Sequence, residues 1–160
     1  MIDTNITSPD FNSYASEADL QKYATARDLT LPENLHAILL KAMDYLEGLS
    51  WYGIRASPSQ PLCWPRLNIE FDGHPFPSDQ IPRQVITAQC MLAVEAVDGE
   101  LLGSSREAAV KTERVEGAVT MTYAVAEGEA FIPSYPAVDA LLATFMGGRG
   151  FAINTFSERG

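Results

Sequence analysis

The thirty residues from Ser50 to Asp79 constrain this chain more than any other stretch. They hold Pro58, Pro61, Pro65, Pro75 and Pro77 together with Trp51 and Trp64, and they show no helical period. Each proline fixes its own backbone torsion and removes a donor, so neither a long helix nor a central strand can run through this region. A loop of that length inside a small domain is usually functional or disordered, and its aromatic content predicts an ordered one pinned by Trp51, Tyr52 and Trp64. Within it, Leu67-Asn68-Ile69-Glu70-Phe71 alternates up to Asp72-Gly73, which predicts one short strand.

The segments on either side read mainly as helices. Residues 1–12 are polar and aperiodic and are expected to form an N-terminal arm. Ser16-Glu17-Ala18-Asp19 has the form of a capping box, with Tyr14 placed to staple the entry of a first helix over about 17–27. Leu31-Pro32-Glu33 is expected to start a second, whose stripe of Leu35, Ile38, Leu39, Ala42, Tyr45, Leu46 and Leu49 is amphipathic and frays at Gly48. Ser78-Asp79 is expected to cap a third helix, entered through Ile81-Pro82. From Val85 to Val97 its apolar positions nearly encircle the axis and leave a thin polar stripe of Gln84, Thr87, Glu95 and Asp98. Such a helix is either central to a core or covered by a neighbouring subunit.

Over about 110–126 the period switches to two. Val115, Val119, Met121, Tyr123 and Val125 alternate with polar residues around Glu116-Gly117, which predicts a β-hairpin that needs a body or a neighbour to complete it. Pro136 to Leu142 opens a last short helix closed by Gly147-Gly148. The residues from 149 to 160 form a tail whose Phe151, Ile153 and Phe156 are expected to dock on a partner. The fold class expected is mostly α: a small helical bundle of about four helices, with a long Pro/Trp-rich loop and a β-hairpin insertion. The main domain is expected over 13–148.

Charge narrows the function. Lys+Arg number 11 against Asp+Glu 21 in 160 residues, a formal net charge of −10. Non-specific nucleic-acid binding runs on cations neutralising phosphates, and Arg55, Arg66 and Arg83 are dispersed rather than clustered. The sequence opens on acidic and polar residues with no export signal, and its longest near-apolar stretch, Cys90 to Val97, is too short to span a bilayer. Cys63 and Cys90 read as reduced thiols of a protein made in a cytoplasm.

Catalytic chemistry finds little support. His36 sits on a helix among apolar neighbours, and His74 lies in a turn with no oriented nucleophile in the sequence pattern. Cys90 reads as a core thiol, and Glu70 and Asp72 as solvated carboxylates rather than a metal pair. Gly147-Gly148-Arg149-Gly150 follows a helix and lacks the Lys-Ser/Thr of a phosphate loop. The chain is expected to be no enzyme and to need no cofactor or metal. Arg55 and Arg66 admit two readings: stacking or salt bridges within the loop, or pairing between subunits.

One larger pattern runs through these elements. Ser13-Tyr14-x-Ser16, Ala42-x-x-Tyr45-Leu46, Gly53-x-Arg55, Ser57-Pro58-x-Gln60-x-Leu62-x-Trp64-Pro65-Arg66, Gly73-x-Pro75-x-Pro77-x-Asp79-x-Ile81-Pro82, Ala88-Gln89-Cys90-x-Leu92-Ala93, Lys111-x-Glu113-x-Val115 and Pro136-x-Val138-Asp139-x-Leu141-Leu142 follow in order. From about residue 13 to 148 this resembles the phage and prophage proteins labelled DnaT-like single-stranded-DNA-binding proteins. These in turn resemble head–tail connector (adaptor) subunits of tailed phages. The first label implies single-stranded-DNA capture by an accessory protein of phage replication. The second implies a structural virion protein of the neck, made in the bacterial host cytoplasm and forming a ring, usually of twelve.

The over-apolar helix, the hairpin that needs company and the docking arms favour the adaptor expectation. Its partners would be further copies of the chain, the portal protein, a tail-completion or tail-terminator protein, and genomic DNA passing without sequence-specific contact, with no membrane. On that expectation Phe151, Ile153 and Phe156 dock on the portal, while Val119, Met121, Tyr123, Arg55 and Arg66 serve contacts between subunits.

Overall fold

The computed structural model describes residues 1–102 and 134–147. Among these residues lie four helices and two small antiparallel ladders, a mostly α fold as expected. The predicted hairpin at 110–126, with Val119, Met121 and Tyr123, and the tail with Phe151, Ile153 and Phe156 lie outside the described residues.

Helix α1 spans Glu17–Ala26, and its capping box is complete: Ser16 Oγ accepts from Asp19 N at 3.0 Å and Asp19 Oδ2 accepts from Ser16 N at 2.9 Å. Helix α2 spans Leu35–Glu47 and begins later than expected. Asn34 is its cap, with Oδ1 accepting from Ala37 N at 3.2 Å. That side-chain acceptor satisfies one of the orphan donors of the first turn, so Leu31-Pro32-Glu33 stays outside the helix. Helix α3 spans Arg83–Ala96. Ser78-Asp79 does not cap it. Pro82, at φ −60° and ψ 141°, holds the chain extended up to the first helical residue, and no side chain caps the end. Helix α4 spans Pro136–Leu142, with Pro136 in its first turn, and continues as a 3-10 turn over Ala143–Phe145.

The expected single strand is two. Strand β1 (Ile54–Arg55) pairs with β2 (Arg66–Leu67), and β3 (Glu70–Phe71) pairs with β4 (His74–Pro75). Asn68, at φ 63°, turns the chain left-handed between them and breaks the alternation. Asn tolerates that region because its short amide bonds locally. Asp72 and Gly73, at φ 52° and 81°, make the β3–β4 turn.

Helix α3 is the axis of the domain and packs against α1, α2 and α4. Val85, Ala88, Leu92, Ala93 and Ala96 are buried along it. Most of its apolar surface is therefore covered within the chain, while Ile86, Met91 and Val94 are half-buried and Val97, just past its end, is exposed. One buried polar side chain fastens this packing. Gln89 Oε1 accepts from Tyr14 N at 3.0 Å and Ala15 N at 2.7 Å, while Nε2 donates to Ser13 Oγ at 2.8 Å and Leu39 O at 3.1 Å. A fully buried amide is tolerated only when its capacity is used in this way. It joins the segment before α1 to α2 through α3. Phe11 is buried beside Tyr14, the rings 6.1 Å apart, so the first dozen residues end in the core.

Candidate functional site

The Pro/Trp loop is the part of the molecule with the most unusual construction. Trp64 is wholly buried and packs edge-on against Trp51 (5.5 Å) and Phe145 (5.7 Å), while Phe71 stacks on Phe145 at 5.8 Å. Aromatic pairs favour such edge-to-face and offset geometries. The peptide between Trp64 and Pro65 is cis. Both tryptophans therefore belong to the core and offer no platform to a ligand.

Hydrogen bonds fix the rest of the loop. Arg66 is buried, and its guanidinium donates to Tyr52 O (2.6 Å), Gly53 O (2.9 Å) and Cys63 O (3.0 Å). These three backbone acceptors hold the two sides of the loop together, and burial pulls the Arg66 pKa below its ordinary value. Within the loop Arg66 thus meets backbone carbonyls rather than the stacking or salt-bridge partners expected from the sequence. At the C-terminal end of α2, Glu47 accepts from the Tyr14 hydroxyl and from Cys63 N (3.0 Å), and Trp64 N donates to the Tyr14 hydroxyl at 3.2 Å. Burial first, then the Glu47 carboxylate, pushes the Tyr14 phenol far above its ordinary range. On the far side, Tyr52 N donates to Phe145 O (2.9 Å) and Gly147 N to Ser50 O (2.7 Å), which ties the loop to the end of α4.

What this rigid frame presents outward is Tyr52, Ile54 and Arg55. Extended backbone points successive side chains to opposite faces. With Trp51 turned into the core, Tyr52 is left 52% exposed, and Ile54 is 58% exposed. Arg55 is exposed, its Nη1 donating to Gln60 O at 3.0 Å. Beside Tyr52 lies an open cleft of about 640 Å³, whose walls include Asn68, Ile69, Glu70, Phe76 and Thr144. Gly53, at the edge of this cleft, lets β1 lie close against β2. At φ 75° a Cβ there would meet the Leu67 carbonyl oxygen at 2.2 Å, so only glycine lets the two sides approach this closely.

The other sequence candidates lie apart from this face or take no part in it. Cys90 is buried in α3 and its thiol is pushed up to about 12 by burial; Cys63 is half-buried and pushed up to about 11 by burial and then by Glu47. A thiol held protonated is a poor nucleophile. His36 is half-buried on α2, and His74 is exposed at the β3–β4 turn. No group of three or more His, Cys, Asp or Glu side chains able to hold a metal occurs among the described residues. Sequence reasoning had passed over Gln89, Asn68 and the exposure of Tyr52. A lone Gln on the apolar face of α3 was the one available signal.

A family profile described as "Putative DnaT-like ssDNA binding protein" matches residues 1–160. The chain belongs to this family. No curated protein and no solved structure matches it. The match covers the first dozen residues and the tail as well as the 13–148 pattern.

Family membership corrects the adaptor expectation. The description names single-stranded DNA, and a neck ring, portal and tail partners and a channel for passing duplex do not follow from it. One physical argument for the ring, the apolar surface of α3, weakens in the same direction. Most of the apolar surface of α3 is buried against α1, α2 and α4, which makes the helix central to this domain's own core.

Proposed function

We propose that the protein binds single-stranded DNA, as an accessory protein of phage replication, through the outer face of the Pro/Trp loop. The observation that carries this reading is Tyr52, half-exposed on a hydrogen-bonded frame beside a cleft of nucleotide dimensions. Bases stack on exposed aromatic rings at about 1–3 kcal/mol each, whatever their sequence. Arg55 lies three residues further along, within about 10 Å of chain, and can meet the phosphate of a base stacked on Tyr52.

The net charge of −10 shapes how such binding works. The loop has two cations; Arg66 is buried on three carbonyls, while the exposed Arg55 gives one donor to Gln60 O and keeps the others for a phosphate. Affinity then rests on stacking and base contacts more than on counterion release. Duplex DNA, whose bases are already stacked on each other, offers this face nothing but repulsion. The protein acts as a binder and not as an enzyme, inside the host cell. Anisotropy of a labelled oligonucleotide at low salt tests this: saturable binding of the single strand, with the matched duplex at least about tenfold weaker, is expected. Equal affinity for both, or none for either, overturns it.

A further inference from the structure

We infer that the cleft beside Tyr52 is a subsite for one unstacked base, in which Glu70 and Asn68 favour guanine. The inference rests on the single-stranded-DNA reading above and adds to it a base preference.

The cleft measures about 640 Å³, within the roughly 300–1,000 Å³ of small-ligand sites, and it is open to one side. Tyr52, Ile69 and Phe76 give it apolar walls, and Asn68, Glu70 and Thr144 give it polar groups. All three polar residues are exposed, and among the described residues none of their side chains has a protein hydrogen-bond or ion-pair partner, so a base edge would have only water to displace from them. The frame that holds them is fixed. Glu70 pairs with Pro75 across the β3–β4 ladder, Phe76 N donates to Ile69 O at 2.7 Å, and Asn68 is held at φ 63°.

The chemistry of these groups selects among bases. An ionised carboxylate only accepts. Guanine presents two adjacent donors, N1–H and the N2 amino group, that one carboxylate can accept together, and its O6 accepts from the amide of Asn68. Adenine and cytosine each present one amino donor. Thymine presents a single N3–H between two carbonyl oxygens, which a carboxylate repels. An unpaired carboxylate also repels phosphate, so the base enters edge-first and its backbone stays outside, toward Arg55.

The test uses the full chain and labelled thymine tracts that differ in one central nucleotide, dG, dA, dC or dT, compared by anisotropy in one buffer. The tract carrying dG is expected to bind at least about fivefold more tightly than the all-thymine tract, the low end for a bidentate pair, with dA and dC between. Glu70→Gln is expected to bring the dG/dT ratio to within about twofold while binding of the all-thymine tract holds or improves, since a negative charge is removed. Asn68→Gly keeps the left-handed backbone and removes the amide, and it should lower the same ratio. Equal affinity for all four tracts, or a dG preference that survives Glu70→Gln, overturns the subsite while leaving single-strand binding in place. Failure of the wild-type chain to bind any tract overturns both.

Discussion

Gln89→Met removes the amide that joins three parts of the core while nearly conserving side-chain length and volume. Two consequences differ in size. Ser13 Oγ still donates to Ala15 O at 2.7 Å, and Leu39 O lies inside α2 and keeps its helical donor. These groups lose little. The backbone N–H groups of Tyr14 and Ala15, in contrast, lose the acceptor they share, and both residues are buried. An orphaned buried donor costs about 1–3 kcal/mol, so the pair costs about 2–6 kcal/mol. Against the 5–15 kcal/mol typical of a domain's total stability (about 10 as a centre), that is a large fraction. Urea denaturation followed by tryptophan emission reads it directly. With a slope of about 2 kcal/mol per molar, the midpoint should fall by roughly 1–3 M. Gln21→Met on the exposed face of α1 is the control and should stay within about 0.5 kcal/mol of the parent. A cost below about 1 kcal/mol for Gln89→Met would refute the reasoning that this amide organises the core.

Three further outcomes follow from the same structure. Trp64→Ala should cost about 3–5 kcal/mol in the same urea assay, and Trp64→Phe distinctly less, because among the described residues the buried Trp64 Nε1 has no partner to lose. The thiols of Cys63 and Cys90 sit at about 11 and about 12 in the folded chain against an ordinary 9.0. The native state therefore holds protons that the unfolded chain releases. Thermal midpoints should be steady below about pH 9 and then fall as pH rises toward those values, each thiol contributing up to about 1.4 kcal/mol per pH unit; a flat profile from pH 8 to 11 would contradict this. The salt dependence of oligonucleotide binding should be shallow, with a log–log slope near about −1 for one or two phosphates met by Arg55. A slope steeper than about −3 would show that cations, and not stacking, carry the binding.

Much of the fold was legible because its signals are local. The Ser16–Asp19 box and Pro136 announce helix starts that the structure confirms, and the apolar surface from Val85 to Val97 marks α3 as central. Two starts were misplaced for a physical reason that composition hides. At α2 a side-chain acceptor, Asn34, outcompeted the favourable Pro32-Glu33 pair, and at α3 Pro82 holds the backbone extended one residue before the helix. The site was less legible. Trp51 and Tyr52 read alike in the sequence, and only the tertiary placement of Trp64 and Phe145 sends one inward and the other out. The bonding of Arg66 is not legible either, because nothing in its sequence neighbours shows that three carbonyls converge on it. Asn68 breaks a strand that alternation alone would have continued.

The most direct test of the central claim is the affinity of Tyr52→Ala for a labelled single strand, measured beside wild type and Tyr52→Phe. Only the exposed ring changes, since the backbone bonds of Tyr52 to Phe145 and Arg66 remain. Loss of one stacked base predicts a weakening of roughly 5- to 150-fold for Tyr52→Ala, with Tyr52→Phe close to wild type. Unchanged affinity in Tyr52→Ala, from a chain that melts like the parent, would contradict binding through this face.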